Sequence, residues 1–290
     1  MNVTILLLSG LAVGCIYGLV AAGFSMVYRA MGLVNFAQGD IMMVGAFIGY
    51  SIIVLGPGLP FWLVIILAAL VTAALGFLIE RFAFWPAVKR GADQIYLVLL
   101  TLGVGIVLSN GARIIWGANP LVYPTPITHE TIMLANYPVP GVYPYIAAGM
   151  ILLVIGLQFF FTRSWMGLAL RASADDPQTA SIMGVNLGFA SALSFAIASG
   201  IGAVAGVLYA PITFASPDMG LIGIKAFAAA ALGTLGSIPG ALIGGLIVGV
   251  GETIGGQLLA PEYQDSMAFL LMIAILMVKP TGLMAGGPRT

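Results

Sequence analysis

Residues 3–28 read VTILLLSGLAVGCIYGLVAAGFSMVY, a run from Val3 to Tyr28 without a single charged side chain. A helix needs roughly 20 apolar residues to cross the hydrocarbon core of a bilayer, so this stretch reads as a spanning helix. The alternative of a cleaved leader fails on the residues themselves. Leu11-Ala12-Val13-Gly14-Cys15 has the outline of a lipoprotein cleavage site, but no Lys or Arg precedes it and the apolar run continues well past Cys15. A secretory signal begins with positive charge and ends after a short apolar core.

The rest of the chain repeats the pattern. Further apolar segments run from Ile41 to Leu55, Phe61 to Ile79, Ile95 to Trp116, Tyr143 to Phe161, Leu187 to Ala210, Leu221 to Leu235, Ile238 to Leu258 and Met267 to Val278. Of 290 residues, 61% are hydrophobic and only 7% charged, with ten basic and ten acidic side chains and a mean hydropathy of +1.11. A water-soluble domain carries about a quarter of its residues as charges. Cytosolic, secreted and disordered chains are therefore excluded together. Backbone groups in lipid must pair within their own segment, and alternating ten-residue β patterns are absent, so the segments are helices. The expectation is an all-α polytopic membrane protein with about eight or nine transmembrane or re-entrant helices, forming one transmembrane domain over residues 1–290.

Charge sets the orientation. Arg29, Arg81, Lys89, Arg90, Arg163, Arg171, Lys279 and Arg289 fall in or beside four hydrophilic intervals separated by even numbers of segments. The intervening loops near Pro57, over residues 117–142, from Pro211 to Gly220 and from Ala260 to Ser266 hold no Lys or Arg, but do hold Glu130, Asp218, Glu262 and Asp265. Basic residues mark the cytoplasmic side. Arg113 and Lys225 are exceptions, placed within segments near their outer ends. Glycines four apart (Gly14 and Gly18, Gly45 and Gly49, Gly202 and Gly206, Gly236, Gly240 and Gly244, Gly245 and Gly249, Gly251 and Gly255) predict helix faces that let backbones approach closely. Pro239 among them predicts a broken or freshly started helix.

Catalytic and metal motifs are missing. The single histidine, His129, lies in an outward Pro-rich loop, and no Walker A sequence occurs. Net charge is zero, which leaves no basic footprint for nucleic acid. Any energy from ATP must enter through another subunit. Two polar islands remain. In Asn35-Phe36-Ala37-Gln38-Gly39-Asp40, Asn35 and Gln38 would share a helix face, and Asp40 reads either as the N-cap of a helix starting at Ile41 or as one wall of a polar path at a helix break. Thr101, Ser109, Asn110, Arg113 and Glu252 are intramembrane polar residues placed to line the same path. Glu252 is the most pointed, because a carboxylate deep in an apolar segment needs a partner, Lys225 and Arg113 being the options. The second island, residues 162–186, is the longest cytoplasmic stretch. In it Asp175 or Asp176 caps a short helix, Pro177 takes its first position and Gly184 ends it. Ala180 and Met183, three apart, form a small apolar face suited to a partner's groove; an ordinary connector is the alternative.

The residues from Tyr17-Gly18-Leu19 through Met26-Val27-Tyr28-Arg29-Ala30-Met31-Gly32-Leu33-Val34-Asn35-Phe36-Ala37-Gln38-Gly39-Asp40, with Gly167, Arg171-Ala172, Asp175 and Gly184-Val185-Asn186, resemble the bacterial branched-chain amino acid ABC-transporter permeases of the LivH type. The resemblance implies an inner-membrane, multi-pass, non-enzymatic subunit with ABC-importer permease architecture. Its partners would be a second permease, two cytoplasmic ATPases that hold ATP and magnesium, a periplasmic substrate-binding protein and the membrane lipid; this chain would carry no cofactor. Gly167, Arg171, Ala172, Asp175, Asp176, Ala180 and Gly184 would couple to the ATPases, and Asn35, Gln38, Asp40, Thr101, Asn110 and Glu252 would border the translocation path. Related permeases carry urea, short amides or other small solutes. From other classes, an ion-coupled secondary transporter would use Glu252 as its relay, and a membrane scaffold would transport nothing.

Overall fold

The computed structural model describes residues 3–125, 131–134, 137–258 and 263–284. His129, Glu130, Ala260, Glu262 and Arg289, used above to read the loops and the orientation, lie outside them. The elements run α1 (Val3–Met31), α2 (Gln38–Leu55), α3 (Phe61–Ile79), a π-helical turn (Glu80–Phe84), α4 (Trp85–Lys89), α5 (Gln94–Trp116), strands β1 (Thr131–Leu134) and β2 (Tyr137–Pro140), α6 (Val142–Arg163), α7 (Trp165–Asp175), α8 (Pro177–Ile182), α9 (Leu187–Thr213), a 3₁₀ turn (Pro217–Leu221), α10 (Ile222–Gly233), α11 (Ile238–Leu258) and α12 (Gln264–Val278). Seven helices among the described residues are long and apolar enough to cross a membrane: α1, α2, the run from α3 through α4, α5, α6, α9 and α11. With the shorter α10 and α12 they account for the nine apolar segments of the sequence. The β1–β2 hairpin is a small antiparallel addition in the loop between α5 and α6.

Two halves of the bundle repeat one another upside down. The last turn of α1 and the first turns of α9 border one cavity, so α1 and α9 run antiparallel. Each is followed by a non-helical stretch, residues 32–37 and 214–216, and then by a helix that starts inside the bundle, α2 or α10. α1 packs along α11 as α9 packs along α3, and α1 and α9 meet at the centre. The repeat survives in sequence at the two breaks: Phe36-Ala37-Gln38-Gly39-Asp40 answers Phe214-Ala215-Ser216-Pro217-Asp218. Inverted repeats built around discontinuous helices are a recurrent transporter architecture, with solute paths at the repeat interface.

Small residues hold the halves together. A methyl group at Gly245 would collide with the backbone of Gly18, and one at Gly249 with that of Gly14. These helices touch backbone to backbone, as the four-residue spacing predicts. Gly45 meets Ala203 of α9 in the same way, and Gly206 meets Met42. Gly236 departs from the pattern: its φ of +86° places it in the turn before α11 rather than on a helix face. Pro239 lies in the first turn of α11, behind Ser237, whose hydroxyl accepts from Gly240 N at 3.2 Å. It therefore starts a helix rather than breaking one.

Candidate functional site

The break before α2 is built from buried polar groups. Asn35, Gln38 and Thr101 are all fully buried. Phe36 N donates to Thr101 Oγ1 at 3.2 Å, Ala37 N to Asn35 Oδ1 at 3.2 Å, and Gln38 Nε2 to the Ala198 carbonyl of α9 at 2.9 Å. These contacts satisfy a stretch of backbone that has left the helical ladder inside the bundle, where water is scarce. Two polar atoms stay unpaired there, Asn35 Nδ2 and Gln38 Oε1. Asp40 is not the N-cap. α2 begins at Gln38, three residues earlier than the apolar run suggests, and Asn35 precedes the helix instead of sharing a face with Gln38. Asp40 sits in the first turn, wedged between Gly105 of α5 and Gly220 of the 3₁₀ turn, where an added methyl group would strike its carboxylate on either side. Gly39 lies against Gly220 and Gly223, its missing Cβ position 2.8 Å from Gly223 Cα. Both breaks thus meet at one point, with a carboxylate between them.

The other two residues expected on this path lie elsewhere. Asn110 is on the exposed side of α5, its Nδ2 donating to the Ile106 carbonyl at 2.8 Å. Glu252 belongs to an ion cluster in which Lys225 Nζ is 2.6 Å from Glu252 Oε1, 2.7 Å from Asp265 Oδ1 and 3.4 Å from Tyr17 Oη. This cluster joins α10 to α11, α12 and α1. Arg113, the other option for Glu252, instead pairs with Asp218 at 3.0 Å. Glu80 is a second fully buried carboxylate that the sequence reading missed. It sits in the π turn, accepts from Ser191 Oγ, and keeps Oε2 without a partner. Its neighbour Arg81 made it look like part of a hydrophilic boundary; the extra residue absorbed by the π turn faces it inward.

Residues 162–186 hold two helices, α7 and α8, rather than one. Ser164 caps α7 by accepting from Gly167 N at 2.9 Å, a signal present in the sequence but unread. Asp176 caps α8, accepting from Gln178 N at 3.0 Å and Thr179 N at 3.1 Å. The Thr179 hydroxyl, then these backbone donors, hold the Asp176 carboxyl below the usual range. Pro177 is at N1 and Gly184 ends the turn at φ +91°. Ala180 is buried, so it and Met183 do not share an outward face; Ile182 and Met183 are the exposed apolar pair, both at least 80% exposed. Gly167 is buried against the Phe160 carbonyl. Ala172 is exposed, Arg171 is half-buried, and Asp175 lies 3.9 Å from Arg29.

Residues 6–276 match the family described as branched-chain amino acid transport system / permease component. The chain belongs to that family. It is similar to the high-affinity branched-chain amino acid transport system permease protein BraD of Pseudomonas aeruginosa, with 36% identity over 96% of this chain and 94% of that one. The LivH permeases of Salmonella typhimurium and Escherichia coli K12, which carry the same description, are 35% and 34% identical, each over 95% of this chain and 93% of theirs. The permease is thus a multi-pass inner-membrane transport subunit and not itself an enzyme. A permease of an ABC importer works with ATPase subunits and a binding protein.

Proposed function

We propose that this permease forms half of a path for branched-chain amino acids, paired with a second permease, driven by two cytoplasmic ATPases and fed by a periplasmic binding protein. No cofactor is bound by this chain in that scheme; ATP and magnesium belong to the ATPases. The observation that carries the reading is Asp40 at the junction of the two helix breaks, bordered by Asn35, Gln38 and Thr101. A carboxylate there suits a solute bearing an ammonium group, whereas neutral urea or a short amide has no charge to meet it. The printed names of the relatives agree in solute class. Glu252 is neutralised by Lys225, which weakens the case for an ion relay through it.

Coupling in this scheme runs through residues 162–186. Ile182 and Met183 enter a groove of the ATPase, Asp176 and Gly184 fix the ends of α8, and Gly167, Arg171, Ala172, Asp175 and Ala180 set how α7 and α8 sit on the bundle. Uptake by proteoliposomes holding the complete importer tests the reading. Labelled leucine should enter with ATP after ion gradients are collapsed, and unlabelled leucine, but not urea or acetamide, should compete. Uptake that follows an ion gradient, or competition by urea alone, would overturn it.

A further inference from the structure

A cavity of about 1280 Å³ opens on the cytoplasmic side between α1, α6, α7, α9 and α11. We propose that it holds one anionic phospholipid of the inner leaflet, with the phosphodiester on Arg29 and Arg171 and an acyl chain lying against α6. Both guanidiniums border the cavity, and among the described residues neither makes a hydrogen bond. Arg171 Nε is buried without a partner, and Arg29 has only the long, solvent-screened pair with Asp175. Two planar forks with free donors match the oxygens of a phosphodiester. The carboxylates nearby do not cancel both: Asp175, mostly exposed, offsets one charge, and Glu80 is buried behind Ser191 in the cavity wall.

The walls select a lipid over a soluble anion. Val154, Leu157 and Phe161 form one stripe of α6 facing the cavity. From Val154 to Thr162 that wall rises about 12 Å along the helix, most of the depth of one leaflet. Ile151, Ile155 and Phe159, on the other side of α6, are exposed, so a single helix separates the cavity from the surrounding bilayer. Basic pockets between helices on the cytoplasmic side are known sites for phospholipid headgroups. The inference does not depend on which solute the permease carries.

Trp85 lines the cavity and supplies the readout. The complete importer, in phosphatidylcholine nanodiscs, is doped with dibrominated phosphatidylglycerol or dibrominated phosphatidylcholine. Quenching at Trp85 is taken as the difference between wild type and Trp85→Phe. With one uncancelled positive charge facing the headgroup, half-quenching should need about fivefold less of the anionic lipid. The preference should vanish in Arg29→Gln/Arg171→Gln, weaken in Arg171→Gln alone, and persist in Arg163→Gln, which lies outside the cavity. Equal quenching by the two lipids, no quenching in the assembled importer because the ATPase fills the space, or a preference that survives the double substitution would each overturn the proposal. Relief of quenching by millimolar inorganic phosphate or glycerophosphate would show a free-anion site and overturn it equally.

Discussion

Removing Lys225 should unfasten the half-length helix α10. Its ammonium is 16% exposed and touches two carboxylates of very different burial, Glu252 at 3% and Asp265 at 80%. In Lys225→Met the Glu252 carboxylate loses its one cation among the described residues and stays in an apolar helix, a defect of about 3–5 kcal/mol. Glu252→Gln leaves Lys225 paired with Asp265 and should cost clearly less. Asp265→Asn breaks only an exposed pair, worth about 0–1 kcal/mol. The double substitution Lys225→Met/Glu252→Gln removes both buried charges and should recover most of the loss. The assay is the heat-unfolding midpoint of the detergent-purified permease complex for all four variants. A Lys225→Met variant as stable as Asp265→Asn, or a double variant no better than Lys225→Met, would refute the claim that this pair pins α10.

Leucine at Gly249 should separate α1 from α11 and lower the yield of assembled complex by well over half, since overpacking a tight contact costs about 1–3 kcal/mol or more; leucine at Gly103 of α5, where nothing lies within 4 Å, serves as the control and should leave yield unchanged. Asp176→Ala should weaken the stimulation of ATP hydrolysis by loaded binding protein, and Asp176→Asn, which keeps an acceptor oxygen, should not. Because the folded-state carboxyl is held below its ordinary value, the cap is complete above the usual carboxylate range and fails only as pH falls through the lowered value; coupling should therefore show no loss traceable to Asp176 from pH ~8 down to ~5. Met183→Ala combined with Ile182→Ala should lower stimulated hydrolysis while the unfolding midpoint of the membrane part stays put.

Helix number is legible in the sequence because it follows from composition: apolar length gives the spans. The glycine contacts are legible for a related reason, since a four-residue spacing fixes a face whatever that face meets. The Asn35–Asp40 island stands out as polar, but its geometry does not. Whether Asp40 caps a helix or lies within its first turn depends on Asn35 bonding to Ala37 N, a choice the helix propensities of these residues leave open. The second break is harder still. Phe214-Ala215-Ser216-Pro217-Asp218 reads as an ordinary outward loop until the fold sets it against its counterpart at Asp40. Glu80 escapes notice and Ala180 is misread for the opposite reason: each sits next to exposed residues, and one residue of helical phase decides which way it faces.

Asp40→Asn in the complete reconstituted importer tests the central claim most directly. The substitution keeps shape and removes charge at the junction of the two breaks. The account predicts that ATP-driven leucine uptake falls at least about tenfold, the worth of roughly 1.4 kcal/mol of a lost charge contact, while the complex assembles and hydrolyses ATP in response to loaded binding protein. Uptake at the wild-type rate would contradict it.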